Sequence, residues 1–318
     1  MRRLFPWLAA PAWVALSLSV VAASTASKRN HAGWADALWL ENGTVEAVIV
    51  PSIGRIMQFR FKGGEDVFWE NPVKQGKAMV SNAWATPGSF GGDKTWPAPQ
   101  SKWNWPPPDI FDAAPLKAEI KGETVVLRSP VSPRFGIKTE RRVHLHPTAA
   151  EMTIETTYVK TQGDPVEVGV WVITQVVDPE IACLPVPKNS KFATGLTSEW
   201  GDPTKMAGVK AADGYATITR LAAAPRKIGN DAESIAWVGK QTVLRIDSPR
   251  IPGATYPDDG CSSEIYTNND PAKYIEMEMV GPLSTMKVGD RLSSTNTYRL
   301  FHRTEADPEK AAREALRK

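Results

Sequence analysis

Glu276 and Glu278, in the run Tyr274-Ile275-Glu276-Met277-Glu278-Met279, are spaced to do proton chemistry. In an extended strand two residues apart means one face, so both carboxylates point one way and Ile275, Met277 and Met279 point the other. Like charges about 7 Å apart raise the pKa of one of them, which suits a general acid or base. On a wet sheet face the same pair is inert surface charge. Glu264 and Tyr266, in CSSEIYTNN, form a comparable pair on a neighbouring strand. A second group of chemical interest is the stretch Gly88–Pro108, GSFGGDKTWPAPQSKWNWPPP. It has neither helical nor strand periodicity and reads as a loop. Its indoles Trp96, Trp103 and Trp105 stand beside Asp93, Lys94, Gln100 and Asn104. Flat aromatic faces next to hydrogen-bonding groups suit a sugar ring, whose C–H face stacks while its hydroxyls need donors and acceptors. The alternative is a Trp-rich lid packed on a sheet.

Other chemistries find little support. Of the four histidines, His31 is expected in a poorly ordered N-terminal arm and His302 follows the last strand. His144 and His146 share a strand face, but zinc needs a third ligand and the sequence offers none. No GxSxG elbow, HExxH helix or phosphate-binding glycine loop is present. No metal and no cofactor is implied. The chain has 318 residues, 42% of them apolar, and a formal charge of +3 that includes Arg2 and Arg3. Without a basic tract, nucleic acid is not an expected partner.

The N-terminus reads as a secretory signal over residues 1–26. Arg2 and Arg3 precede an apolar run from Leu8 to Val21, then small residues, with cleavage after Ala23 or Ala26. The run is short for a bilayer span, so no stable membrane anchor is expected after cleavage. The expected location is periplasmic or secreted, in a bacterium. Export permits a disulfide between Cys183 and Cys261, and two buried thiols are an equal alternative.

The elements that must position these groups are strands. Thr44–Val50, Arg55–Phe61, Val67–Trp69, Leu116–Ile120, Thr124–Arg128, Ile137–Leu145, Glu151–Val159 and Val166–Val176 are expected in the first half. Tyr215–Arg220, Ser234–Val238, Thr242–Ile246, Ser262–Tyr266, Tyr274–Met279 and Thr295–Leu300 follow. Only the tail reads as a helix, started by Asp307-Pro308. Such a procession predicts an all-β sandwich of antiparallel sheets, in one domain over residues 27–318.

Three pieces resemble the galactose-mutarotase-like superfamily. They are the opening ENGTVEAVIVPSIGRIMQFRFKGGEDVFWENP, the central GGDKTWPAPQ of an exported bacterial branch, and the closing CSSEIYTNNDPAKYIEMEMVGPLSTMKVGDRLSSTNTYRLF. The resemblance implies a β-supersandwich with a short C-terminal helix and a carbohydrate site on its concave face. In aldose 1-epimerases of that superfamily a strand glutamate takes the anomeric hydroxyl proton and a histidine protonates the ring oxygen. The glutamate matches Glu276. The central histidine position holds Gln175, and Lys94 is the strong proton donor of the other histidine region.

Two functions follow as expectations. One is a sugar mutarotase or epimerase with Glu276 as base and Lys94 as acid or anion clamp, acting on a mono- or oligosaccharide. The other is a non-catalytic periplasmic glycan-binding protein using the same Trp-rich face. In both, Asp93, Trp96, Gln100, Trp103, Trp105, Gln175, Glu264 and Glu278 are expected to touch the sugar.

Overall fold

A computed structural model describes residues 24–79 and 89–318. Residues 1–23, which hold most of the expected signal segment, and Gly88 lie outside the described residues. Two ten-stranded antiparallel sheets face one another. The first runs, in spatial order, Thr25–Lys28, Leu38–Glu41, Val45–Val50, Arg55–Phe61, Gly92–Ala98, Val166–Val177, Tyr274–Val280, Ser263–Thr267 and Arg226–Asn230, with Ser284–Met286 against the start of Val166–Val177. The second runs Val209–Ala212, Tyr215–Ile218, Ile181–Pro185, Ser234–Val238, Thr242–Asp247, Arg291–His302, Glu151–Lys160, Ile137–Leu145, Thr124–Arg128 and Lys117–Lys121. The helix Pro308–Arg317 is capped by the Asp307 carboxylate, which accepts from the Glu309 and Lys310 amides. It lays Ala311, Ala312 and Ala315 on the outer face of the second sheet.

Alternation drives the sandwich. Ile275, Met277 and Met279 from the first sheet meet Ile154, Leu244, Ile246 and Leu300 from the second in one apolar cluster. Each such side chain contributes about 1.5–3 kcal/mol by leaving water. The core also holds charge. Asp93 accepts from Arg141 of the facing sheet, and from Thr174 Oγ1 at 2.7 Å and Tyr298 Oη at 2.6 Å. This fully buried ion pair joins the two sheets across the core.

The sandwich of antiparallel sheets with its terminal helix is as expected, and two details differ. Gly92–Ala98 is a strand and not a loop. Its alternation is hidden because both faces are buried, one in the inter-sheet core and one beneath the cleft described below. Gly91 and Gly92 start it with φ of +98° and +69°. A Cβ on Gly91 would collide with the Trp69 carbonyl oxygen, so only glycine lets the strand approach that close. His31 does not sit in a loose arm. It pairs with Glu70 at 2.7 Å and its ring lies edge-on to Trp39. Cys183 and Cys261 are both free and buried, and burial pushes the Cys183 thiol up to about 12.

Candidate functional site: a buried charged floor under an aromatic cleft

Sheet register brings the site together. Gln175 lies opposite Glu276, Glu276 opposite Tyr266, and Tyr266 opposite Lys227, a row across four adjacent strands. The next row places Lys94 opposite Ile173, Ile173 opposite Glu278, and Glu278 opposite Glu264. Apart from Ile173 and Glu264, the residues of these rows floor a cleft of ≈ 1210 Å³ on the outer face of the first sheet. Trp69, Trp96, Trp105, Trp171, Trp200, Tyr266 and Tyr274 wall it.

Glu276 is fixed from two sides. Gln175 Nε2 donates to its Oε1 at 2.8 Å, and Ser89 Oγ donates to Gln175 Oε1 at 2.7 Å. The Lys94 ammonium sits 3.6 Å from the same Glu276 oxygen and 3.7 Å from Asp112 Oδ1. It also lies over the Trp96 ring, 3.9 Å from the centroid. Asp112 is itself engaged by Arg55 at 3.0 Å and by the Trp96 indole N–H at 2.8 Å. Burial pushes the Lys94 pKa below the ordinary lysine range; Glu276 and Asp112 pull it up and do not offset the loss of water. A lysine held this way gives up its proton more readily than an exposed one.

A second cluster adjoins the first. Lys227 stands 2.9 Å from Glu264 and 3.3 Å from Glu278, and the Trp171 indole donates to Glu278 Oε2 at 2.9 Å. Burial raises the pKa of both carboxyls against the pull of Lys227. For Lys227, burial is outweighed by the two carboxylates, which keep the ammonium charged. Glu264, Glu278 and Lys227 thus form one coupled buried cluster, in which burial pushes both carboxyls towards their neutral forms and the cation pulls them back.

Glu276, Lys94, Gln175 and Glu278 therefore line one cleft, with Trp96, Gln100 and Trp105 on its walls. Three expected residues do not reach the cleft. Asp93 points the opposite way from Lys94, into the ion pair with Arg141, because neighbours on a strand face opposite sides. Trp103 lies beneath the site, donating to the Pro97 carbonyl at 2.7 Å and packing edge-on against Trp96. Glu264 stands behind Lys227 and lines a smaller side pocket of ≈ 230 Å³ with Asp258 and Asp259. Sequence reasoning missed Trp171, Trp200 and Lys227. Trp171 carries a readable signal, since it stands four residues before Gln175 on one strand and so shares its face. Lys227 carries none, because the short strand Arg226–Asn230 has little alternation to betray it. His144 is exposed on the second sheet and His146 in the turn after it, where His146 Nδ1 accepts from the Thr148 and Ala149 amides. Among the described residues, no group of three or more His, Cys, Asp or Glu is placed to hold a metal ion.

Residues 35–301 match the family described as a domain of unknown function, DUF4380. The chain belongs to the DUF4380 family. No curated protein matches it by sequence. Solved structures place this DUF4380 chain in a known fold. It is similar to a galactose mutarotase-like protein from Lactobacillus casei, with 10% identity and a TM-score of 0.57, covering 83% of this chain and 100% of that one. A galactose mutarotase related enzyme from Lactobacillus acidophilus gives 8% identity and a TM-score of 0.52 over 83% of this chain and 97% of that one. A candidate aldose 1-epimerase from Klebsiella pneumoniae gives 10% identity and a TM-score of 0.54 over 92% of this chain and 86% of that one. The DUF4380 chain thus has the galactose mutarotase-like fold, as the three sequence pieces implied. At such identities the likeness establishes the fold alone.

Proposed function

We propose that this DUF4380 protein binds a reducing sugar in the concave cleft and interconverts its anomers. The observation that carries the reading is the Lys94–Glu276 pair, 3.6 Å apart on the floor of an aromatic-walled cleft. Glu276 takes the proton of the anomeric hydroxyl while Lys94 gives a proton to the ring oxygen. The bond between the anomeric carbon and the ring oxygen breaks, and an open-chain carbonyl forms. Rotation about the adjacent carbon–carbon bond and the reverse transfers reclose the ring on the other face. Atoms and protons balance, and neither metal nor redox partner enters the scheme. Gln175, in the place where the resemblance puts a histidine, positions the base and transfers no proton. The N-terminal sequence supports an exported protein working on sugars outside the cytoplasm.

The test is anomer exchange followed by NMR across hexoses, uronic acids and disaccharides, with tryptophan fluorescence reporting binding. Acceleration that Glu276→Gln removes, with binding retained, supports the reading. No acceleration for any sugar refutes the chemistry. A second reading, glycan binding without catalysis, is favoured by one observation: no histidine lines the cleft among the described residues. It stands if sugars perturb the indoles and no anomer exchange is accelerated.

A further inference from the structure

We propose that Arg55 is the positioning residue for both ends of the proton transfer: it holds Glu276 as an acceptor through Ser89 and Gln175, and it holds Asp112 back from Lys94. The inference rests on the anomer-exchange reading and adds to it a residue that stays out of reach of the sugar.

Arg55 is fully buried at the start of the strand Arg55–Phe61, and it is not one of the described residues that line the cleft. A charge so placed persists only where its donors are taken up. Its Nη1 donates to Ser89 Oγ at 3.2 Å and to the Gly91 carbonyl at 2.8 Å. Its Nε donates to the Asp112 carbonyl at 2.8 Å, and its Nη2 to Asp112 Oδ2 at 3.0 Å. One planar fork thus ties the approach to the Lys94 strand to the short helix Asp109–Asp112.

The first arm runs to the base. A guanidinium donates and never accepts. Ser89 Oγ accepts from it and from the Gly91 amide at 3.4 Å, so its single hydrogen goes on to Gln175 Oε1 at 2.7 Å. With its oxygen engaged there, Gln175 turns its amide nitrogen to Glu276 Oε1 at 2.8 Å. Every bond in the row points the same way, and the last one meets a group that has to accept. Such a bond favours the carboxylate over the acid and fixes the oxygen that faces Gln175.

The second arm runs to the acid. Arg55 takes Asp112 Oδ2, and the Trp96 indole donates to Oδ1 at 2.8 Å. The Lys94 ammonium is left 3.7 Å from Oδ1, beyond hydrogen-bond distance. Without Arg55 the aspartate is free to close on the ammonium and hold its proton. Burial comes first in lowering the Lys94 pKa; Glu276, Asp112 and Glu278 act against it, and the Arg55 charge acts with it. One side chain therefore keeps the base ready to accept and the acid ready to give.

The experiment follows anomer exchange by NMR against pH, with binding read by tryptophan fluorescence and melting by calorimetry, for the full chain and for Ser89→Ala, Arg55→Lys and Arg55→Gln. Ser89→Ala cuts the first arm alone. Its kcat should fall about five- to tenfold, the scale of one buried hydrogen bond, with KM and the alkaline limb of the profile unchanged. Arg55→Lys keeps the charge beside Asp112 and loses the fork that reaches Ser89, so it should behave like Ser89→Ala. Arg55→Gln cuts both arms. Its kcat should fall about a hundredfold, and the alkaline limb should move to higher pH as Asp112 closes on Lys94. A merely structural arginine would change the melting point and leave kcat of the folded protein and the limb alone. Full kcat in Ser89→Ala or Arg55→Lys, or an unmoved limb in Arg55→Gln, overturns the inference and leaves the anomer-exchange reading standing. Should Arg55→Gln not fold, the other two variants decide. A wild type that accelerates no anomer exchange overturns that reading and the inference with it.

Discussion

Replacing Lys94 by methionine separates what this residue does for the reaction from what it does for the fold. Lys94 is 2% exposed, and its ammonium has lost water without regaining equivalent interactions: its pKa lies below the ordinary range despite two carboxylates within 3.7 Å. The unfolded chain therefore holds this proton more tightly than the folded one. Below the folded-state pKa the cation destabilises the protein. As pH rises towards the unfolded-state pKa that penalty disappears, so stability climbs with pH through the window. Methionine fills the same volume without a charge. Asp112 keeps Arg55 and the Trp96 indole, and Glu276 keeps Gln175. Exchanging a buried ion for a well-packed apolar chain ranges from neutral to favourable, so the expected stability change runs from zero to a gain of about 2 kcal/mol. In a chain of this size that is up to about 4 °C in the thermal midpoint. Anomer exchange should fall by about 10²–10⁴, the ordinary worth of one general acid. Calorimetric melts between pH 6 and 10 should show the wild type gaining stability with pH relative to Lys94→Met. A variant that melts several degrees lower at every pH and keeps full activity would show that Lys94 is a structural cation and that the proton-donor argument is wrong.

Three further outcomes are expected. Arg141→Met leaves Asp93 buried with only Thr174 and Tyr298, and should cost about 3–5 kcal/mol in urea unfolding, with the double variant Asp93→Leu/Arg141→Met recovering most of it. Reducing agents should not move the thermal midpoint, and thiol titration should find two reactive groups only after denaturation, since both cysteines are free and buried. Terminal sequencing of exported protein should find Ser24 first, because cleavage after Ala26 would remove half of the edge strand Thr25–Lys28, which pairs with Leu38–Glu41.

Strands with one face on the core were legible because their alternation survives in the residues. Ile137–Leu145, whose buried and part-exposed residues alternate along its length, lies where period two puts it. The same rule read Glu276 and Glu278 as neighbours on one face, and both line the cleft. Gly92–Ala98 escaped because all seven of its residues are buried, which erases the polar–apolar rhythm and leaves glycine and proline as misleading loop markers. Asp93 was assigned to the cleft for the same reason: with the strand unrecognised, nothing in the sequence set its face against that of Lys94. Lys227 and Trp200 come from segments distant in sequence, and only the pairing of Arg226–Asn230 with Ser263–Thr267 and the contact of Trp200 with Tyr266 bring them in.

The tie between Asp93 and Arg141 has a consequence for motion. The strand that carries Lys94 is flanked by strands on both sides and pinned through its next residue to the opposite sheet. Its amides have no local route to solvent, so their hydrogen exchange should follow unfolding of the whole molecule. The segment that follows it is held more lightly, by Arg134 donating to the Lys102 and Trp103 carbonyls near the surface, and should exchange through smaller openings. Whatever the cleft binds, Lys94 would meet it from a surface that holds still.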